Sequence, residues 1–287
     1  MSTKSILILK VKKFIMNIPF VKMHGDGNDF VIIDNNKLKT DFSSEKIRKI
    51  ANRNTGIGCD QLILLEESKN FDIFMRIFNQ DGTQAEMCGN ASRCVASLLF
   101  TSKKSNTITI ETISNNIKAV LEKSGEVSTI MKVPKQDKKY FHLNREVDID
   151  NIDFSSINEE FVNGMLVNMG NPHIVFVVSD IEKVELEKYG KQIERNHLFK
   201  KNINVEIVQI YNKNNIKLKF WERGAGLTKS CGSGIMAAFY ACFKKNICAS
   251  SVNIILPLGK VLTKFHKDEI SIMGKAEVSF LGEFNYE

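Results

Sequence analysis

Six cysteines in 287 residues are too few for a disulfide-framed secreted scaffold. No Cys-x-x-Cys pair offers a structural zinc site, and Cys242 and Cys248 read as part of an apolar helix and its exit. No apolar run approaches the roughly 20 residues that span a bilayer. No Arg-rich tract, RNA-binding signature or tandem basic repeat accompanies the net charge of +7. The lysines are interleaved with Asp, Glu and Asn, as on a solvated surface, so neither nucleic acid nor a membrane is the expected partner. No lysine motif for pyridoxal phosphate is apparent.

What is present is an ordinary globular balance, 43% hydrophobic and 25% charged. At roughly 150 residues per domain the length suits two domains or one large one. The opening "MSTKSILILKVKKFI" has an apolar core shorter than a signal h-region, which needs about 7–15 residues, and it contains no Arg. Residues 1–15 are therefore expected to be an extension that carries no chemistry. Sparse, reduced thiols predict a cytoplasmic protein.

The most informative feature is a repeat at low identity. "HGDGNDFVIID" (24–34) and "NMGNPHIVFVV" (168–178) each run from Gly-Asn into an apolar strand. Asn28 and Asn171 are 143 positions apart, and so are Cys88 and Cys231. The same offset relates Gln61 to Asn204, Phe78 to Trp221, Asn79 to Glu222 and Gly89 to Gly232. It also superposes the helical pattern of 44–54 on that of 187–197. Two homologous halves are the simplest account.

Each half reads as a strand after Gly-Asn, an amphipathic helix, strands, a cysteine with its helix, then further strands. The strands are short, rich in Ile, Val and Thr, and bounded by Asn, Gly and Lys. "CVASLLF" and "GIMAAFYACF" are apolar nearly all round, so each helix must be enclosed. Both runs stop at a double lysine, Lys103-Lys104 and Lys244-Lys245, which suits a helix C-terminus. The predicted fold is α+β: two homologous domains, each a curved mixed sheet wrapped around a buried central helix. If the halves face each other, Cys88 and Cys231 meet across one cleft.

A helix N-terminus carries roughly half a positive charge and unpaired N–H groups. It is expected to lower a thiol's pKa, and the N–H groups of Gly89-Asn90 and Gly232-Ser233 can hold a carboxylate. Glycine after each cysteine lets backbone approach that anion. A carboxylate gripped from both sides would set its α-carbon between two sulfurs. One thiolate would then remove the α-proton while the opposite thiol delivers one, inverting the centre. The developing carbanion would need aligned N–H donors in a dry site.

Blander readings stand beside these. A lone cysteine is usually a small hydrophobe, and Cys94, Cys242 and Cys248 are read so; Cys59, two residues before Gln61, is read as structural, with a place near the site as the alternative. His173 is open between a structural and an assisting role. "ERGAG" can be a solvated turn, and the glycines of "GDGND" are weak evidence for a phosphate loop.

The segments "FVKMHGDGNDFVIID", "RNTGIGCDQ", "FNQDGTQAEMCGNASRC", "MGNPHIVFV", "ERGAGLTKSCGSGIMAA" and "GKAEVSFLGEF" together resemble diaminopimelate epimerase, from about Phe20 to Glu283. The cysteine motifs alone fit a wider superfamily that includes proline racemases; "MHGDGNDF" and "ERGAGLT" narrow it. The resemblance implies epimerisation of LL- to meso-diaminopimelate without cofactor or metal, for lysine and peptidoglycan precursors, in the cytoplasm and usually as a homodimer. It makes Cys88 and Cys231 the acid/base pair, with Gly89, Asn90, Gly232 and Ser233 binding the carboxylate at the reacting centre. Asn28, Gln61, Asn79, Asn171, Asn204, Glu222 and Arg223 match the family's polar residues, with Arg223 on the distal carboxylate. His173 and Glu222 match residues that assist near the cysteines.

It leaves open which cysteine faces which epimer, pointing to Cys88 for the LL form. Its final strand is expected to return to the first domain. The domains would then be 16–133 plus 277–287, carrying Cys88, and 134–276, carrying Cys231. Ala91 and Cys59 depart from the family, which usually has Gly and often an aromatic there; neither removes a functional group. A proline or hydroxyproline racemase is the alternative enzyme, and a cysteine-based redox or metal-binding protein the non-enzymatic one.

Overall fold

The computed structural model describes residues 16–286; the extension expected over 1–15 lies outside the described residues. In the first half the strands are β1 (Met16–Gly25), β2 (Asn28–Asp34), β3 (Gln61–Glu66), β4 (Ile73–Asn79), β5 (Gln84–Ala85), β6 (Thr107–Glu111), β7 (Asn116–Leu121) and β8 (Val127–Lys132). The helices are α1 (Asn35–Leu38), α2 (Ser44–Ala51) and α3 (Gly89–Lys103). The second half has β9 (Met165–Asn168), β10 (Pro172–Val177), β11 (Asn204–Asn212), β12 (Asn215–Glu222), β13 (Gly226–Thr228), β14 (Ser251–Leu256), β15 (Gly259–His266) and β16 (Glu269–Gly274). Its helices are α4 (Leu186–Glu194) and α5 (Gly232–Lys244), and β17 (Glu277–Tyr286) closes the chain's described part.

The two halves repeat one pairing scheme. β1 runs antiparallel to β2, β2 parallel to β3, β3 antiparallel to β4 and β4 parallel to β6, followed by antiparallel β7 and β8. β9 to β16 follow the same order and senses. Registers match too: Phe30 stands opposite Gln61, and His173 opposite Asn204. The halves join where β8 pairs antiparallel with β16. Thr129 faces Ile272 there, which is its own equivalent 143 residues on, and its hydroxyl donates to the Ile272 carbonyl. A local twofold axis therefore crosses the seam at this pair. β17 lies outside the repeat and runs antiparallel to β1.

The unbroken apolar runs follow from layering. On β2, Phe30 and Ile32 point inward to α3, while Val31 and Ile33 pack outward with Ile47 and Ile50 of α2. β10 does the same, with Val175 inward to α5 and Ile174 and Phe176 outward into a layer shared with α4. Strands covered on both faces have no polar alternation to show. Every residue of α5 from Gly232 to Cys242 is buried, and a fully buried Ile or Phe there contributes about 1.5–3 kcal/mol. The lysine pairs end both inner helices as expected, with Lys104 and Lys245 as C-caps. Two homologous halves, each a curved mixed sheet around a central helix, are the α+β fold anticipated above.

Candidate active site

Cys88 and Cys231 are the N-caps of α3 and α5, in extended backbone, and each sulfur accepts the backbone N–H three residues on. The distances are 3.5 Å from Ala91 N and 3.4 Å from Gly234 N. The two helices meet N-terminus to N-terminus. A β-carbon placed on Gly232 would lie 2.9 Å from Gly89 N, and one on Gly89 would touch Gly232 Cα at 3.4 Å. The glycines after the cysteines are thus needed for contact between the two helix ends as well as for approach to an anion.

Around Cys88, Asn28 Oδ1 lies 3.8 Å from the sulfur and 3.3 Å from Asn90 Nδ2. Asn90 Nδ2 also donates to Ser230 Oγ across the cleft at 2.9 Å. Around Cys231, Ser233 Oγ is 3.5 Å from the sulfur, and Asn171 Nδ2 is 3.4 Å from that hydroxyl. His173 links Asn171 Oδ1 at 2.9 Å to Glu206 Oε1 at 2.8 Å, and His173 and Glu206 are wholly buried. Glu222 accepts from Thr228 Oγ1 at 2.5 Å and bonds to the Cys231 thiol.

The remaining predicted residues lie at strand ends: Gln61 and Asn204 open β3 and β11, Asn79 closes β4, and Arg223 follows β12. Gln61 Nε2 donates to Asn79 Oδ1 at 3.0 Å, while the buried Gln61 Oε1 accepts no hydrogen bond from the described residues. Asn204 Nδ2 donates to the Pro172 carbonyl, and its Oδ1 takes the Arg223 backbone N–H, each at 2.9 Å. Arg223 itself is exposed on a turn whose Gly224 and Gly226 have positive φ. The fold thus assembles two linked groups on the cysteines, with Gln61–Asn79 and Asn204–Arg223 as flanking pairs.

The thiols differ from the sequence expectation. Burial pushes Cys88 up to about 11 and Cys231 well above an ordinary thiol; the Glu222 carboxylate adds to both, and helix N–H groups only partly offset it. Desolvation outweighs the helix terminus here. Burial also raises Glu222, against the opposing hydrogen bonds of Thr228 and Cys231. Cys59, Cys94, Cys242 and Cys248 lie buried in the cores, as read from the sequence.

Residues that the motifs did not single out also belong to the constellation. Ser230 and Glu206 bond directly to predicted residues, and Asp60 Oδ2 accepts from Asn28 Nδ2 at 2.9 Å. Glu194 receives Trp221 Nε1 at 2.8 Å and Gly224 N at 3.2 Å, anchoring the Arg223 turn. Glu206 carried one signal, a charge inside the apolar run of β11. Among the described residues no cluster of His, Cys, Asp and Glu is arranged to hold a metal ion.

A family model described as diaminopimelate epimerase matches residues 20–136 and 165–279. The diaminopimelate epimerase of Sphingopyxis alaskensis is 38% identical over 268 residues, covering 93% of this chain and 97% of that protein. That of Pelagibacter ubique is 38% identical over 273 residues, covering 94% and 99%. Among solved structures, a hydroxyproline epimerase from Agrobacterium vitis superposes with a TM-score of 0.67 at 12% identity, covering 94% of this chain and 91% of that one. This last likeness establishes the fold alone.

Proposed function

The chain belongs to the diaminopimelate epimerase family, an isomerase that interconverts LL- and meso-diaminopimelate, and we propose that it does so with Cys88 and Cys231 as the paired acid and base. The observation that carries this reading is the abutment of two cysteine-capped helices at Gly89 and Gly232. Backbone N–H groups at Gly89, Asn90, Gly232 and Ser233 hold the reacting carboxylate, and both helix ends favour its charge. The α-carbon then lies between the sulfurs. One thiolate takes the α-proton, the opposite thiol gives one, and the reverse reaction exchanges their roles.

Burial keeps both thiols protonated in the free site, so one proton must leave before turnover. Glu222, bonded to Cys231 and itself raised, is placed to take it. His173 assists indirectly, holding Asn171 beside Ser233. The distal, unreacting centre is a zwitterion. Arg223 pairs with its carboxylate, and amide carbonyls such as Gln61 Oε1, unpartnered among the described residues, accept from its ammonium. No cofactor enters these steps.

Two bodies, 16–133 with 277–287 and 134–276, close over the substrate. The lysine and peptidoglycan role fits a cytoplasmic enzyme with no nucleic-acid or membrane partner, and no helix among the described residues is long and apolar enough to cross a membrane. A homodimer is supported by β17. It pairs only with β1 among the described residues and exposes Val278, Phe280 and Leu281.

The decisive experiment incubates reduced protein with LL-diaminopimelate in D₂O and follows the α-proton signals, alongside Cys88→Ala and Cys231→Ala. Meso product with deuterium only at the new centre, and no completed inversion by either variant, is expected. Full turnover by either variant overturns the two-thiol reading.

A further inference from the structure

The repeat places one asparagine at the mouth of each half, Asn28 and Asn171, yet unrelated devices hold the two. Asn28 Nδ2 donates to Asp60 Oδ2 at 2.9 Å. That carboxylate is fixed in turn by Arg53 Nη2 on Oδ1 at 2.6 Å and by the Asp29 N–H on Oδ2 at 3.1 Å. Arg53 and Lys22 both pair with Asp29, tying the cluster together.

An ionised carboxylate only accepts hydrogen bonds. The NH₂ of Asn28 must therefore face Asp60, and its carbonyl must face Cys88 Sγ and Asn90 Nδ2. An amide that would otherwise be free to turn over is given one orientation by its charged neighbour.

The second half has none of this. Where the first half has Lys22, Arg53 and Asp60, the equivalent positions carry Met165, Asn196 and Ile203. Conversely, His173 and Glu206 stand where the first half has Phe30 and Ile63. Asn171 turns its Oδ1 to His173 Nε2, and its NH₂ toward Ser233, the neighbour of Cys231. Among the described residues no carboxylate contacts the Asn171 amide directly, so the two equivalent amides are held by different kinds of partner.

We infer that Asp60, backed by Arg53, is a positioning residue of the epimerase: it aims the Asn28 carbonyl at Cys88 so that this cysteine rests as a hydrogen-bond-donating thiol, making a twofold site chemically unequal. The inference rests on the two-thiol reading above. The other groups acting on the Cys88 sulfur are the Glu222 carboxylate from β12, Arg93 from its own helix, and the N–H groups of Asn90 and Ala91. A change at Asp60 alters none of them covalently.

The test follows iodoacetamide alkylation of Cys88 and Cys231 against pH, resolved by peptide mass spectrometry, in the full-length substrate-free enzyme. Asp60→Asn keeps the shape but can bond either end of Asn28, which frees the amide to turn its NH₂ to the sulfur. We expect the Cys88 midpoint to fall by about one pH unit, with Cys231 unmoved and kcat lowered about tenfold. Asp29→Asn removes one charge from the same cluster but keeps the Asp60–Asn28 bond, and should leave the Cys88 midpoint in place. Equal shifts in both variants would mean charge alone, and no shift in Asp60→Asn would mean no orientation; either result overturns the inference. Asp60→Ser carries the same expectation if the amide variant folds poorly. Alkylation needs no turnover, so a failure of the two-thiol reading would show separately, in Cys88→Ala retaining activity.

Discussion

Gly89 and Gly232 touch through their backbones, each the first residue of a helix whose N-cap is a cysteine. The contact is not quite symmetric: an added β-carbon is tolerable on Gly89 but collides with backbone from Gly232. Two positive helix ends are thereby brought together, an arrangement that favours an anion between them.

Gly232→Ala should therefore lower kcat/KM by about 100-fold, the cost of displacing one helix end by a fraction of an ångström to an ångström. Gly89→Ala should cost markedly less. Steady-state kinetics on both variants, with circular dichroism to verify folding, checks the order. Equal effects would mean the contact does not set the catalytic geometry.

Activity should climb with pH. Burial, reinforced by Glu222, holds both the Cys88 and Cys231 thiols above their ordinary range. The population with one thiolate and one thiol therefore grows from about pH 6 to about pH 9, before a second deprotonation closes the bell. Initial rates across that range test this, and a flat profile contradicts the required pair of protonation states.

Stability should move the opposite way in alkali. Burial raises Cys59 and Cys94 each to about 12, against about 8.5 in an unfolded chain. Above that lower value the unfolded state loses the proton first. The stabilisation is complete below about pH 8.5 and is lost as pH rises toward the folded values. Urea midpoints under reducing conditions should fall over that window. Cys59→Ala should flatten the slope by up to about 1.4 kcal/mol per pH unit.

Leu281→Asp should dissociate the proposed dimer. Leu281 is 72% exposed on β17 opposite Val21 of β1; the register shift beside it leaves Val278 on the same face and Phe280 on the other. A charge there costs little in a monomer and much in a buried interface. Sedimentation should show halved mass with unchanged secondary structure. A monomeric wild type would remove the premise.

Much of this was legible because the repeat keeps a constant spacing across its polar positions. Cys88 and Cys231, Asn28 and Asn171, and Gln61 and Asn204 all announce themselves by one offset, and apolar all-round helices required an enclosing sheet. Asp60 and Ser230 stayed hidden because an Asp beside a Gln, or a Ser before a Cys, is ordinary in sequence. Their roles exist only once β2 lies against β3 and the two helix ends meet. The direction of the thiol shifts was missed for a related reason. A helix N-terminus can be read from sequence, whereas the depth at which tertiary packing sets the sulfur cannot.

The seam at Thr129 and Ile272 has the form of a homodimer interface drawn within a single chain, each side offering the same patch to the other. In a true homodimer both cysteines would be bound to identical surroundings, since any substitution would appear twice. Joining the copies in one polypeptide removes that obligation. Asp60 can occupy one copy and Ile203 the other, and His173 can replace Phe30 without a matching change. Covalent linkage thus supplies what a reaction between mirror-related faces of one carbon requires, a twofold frame in which the two sides need not be alike.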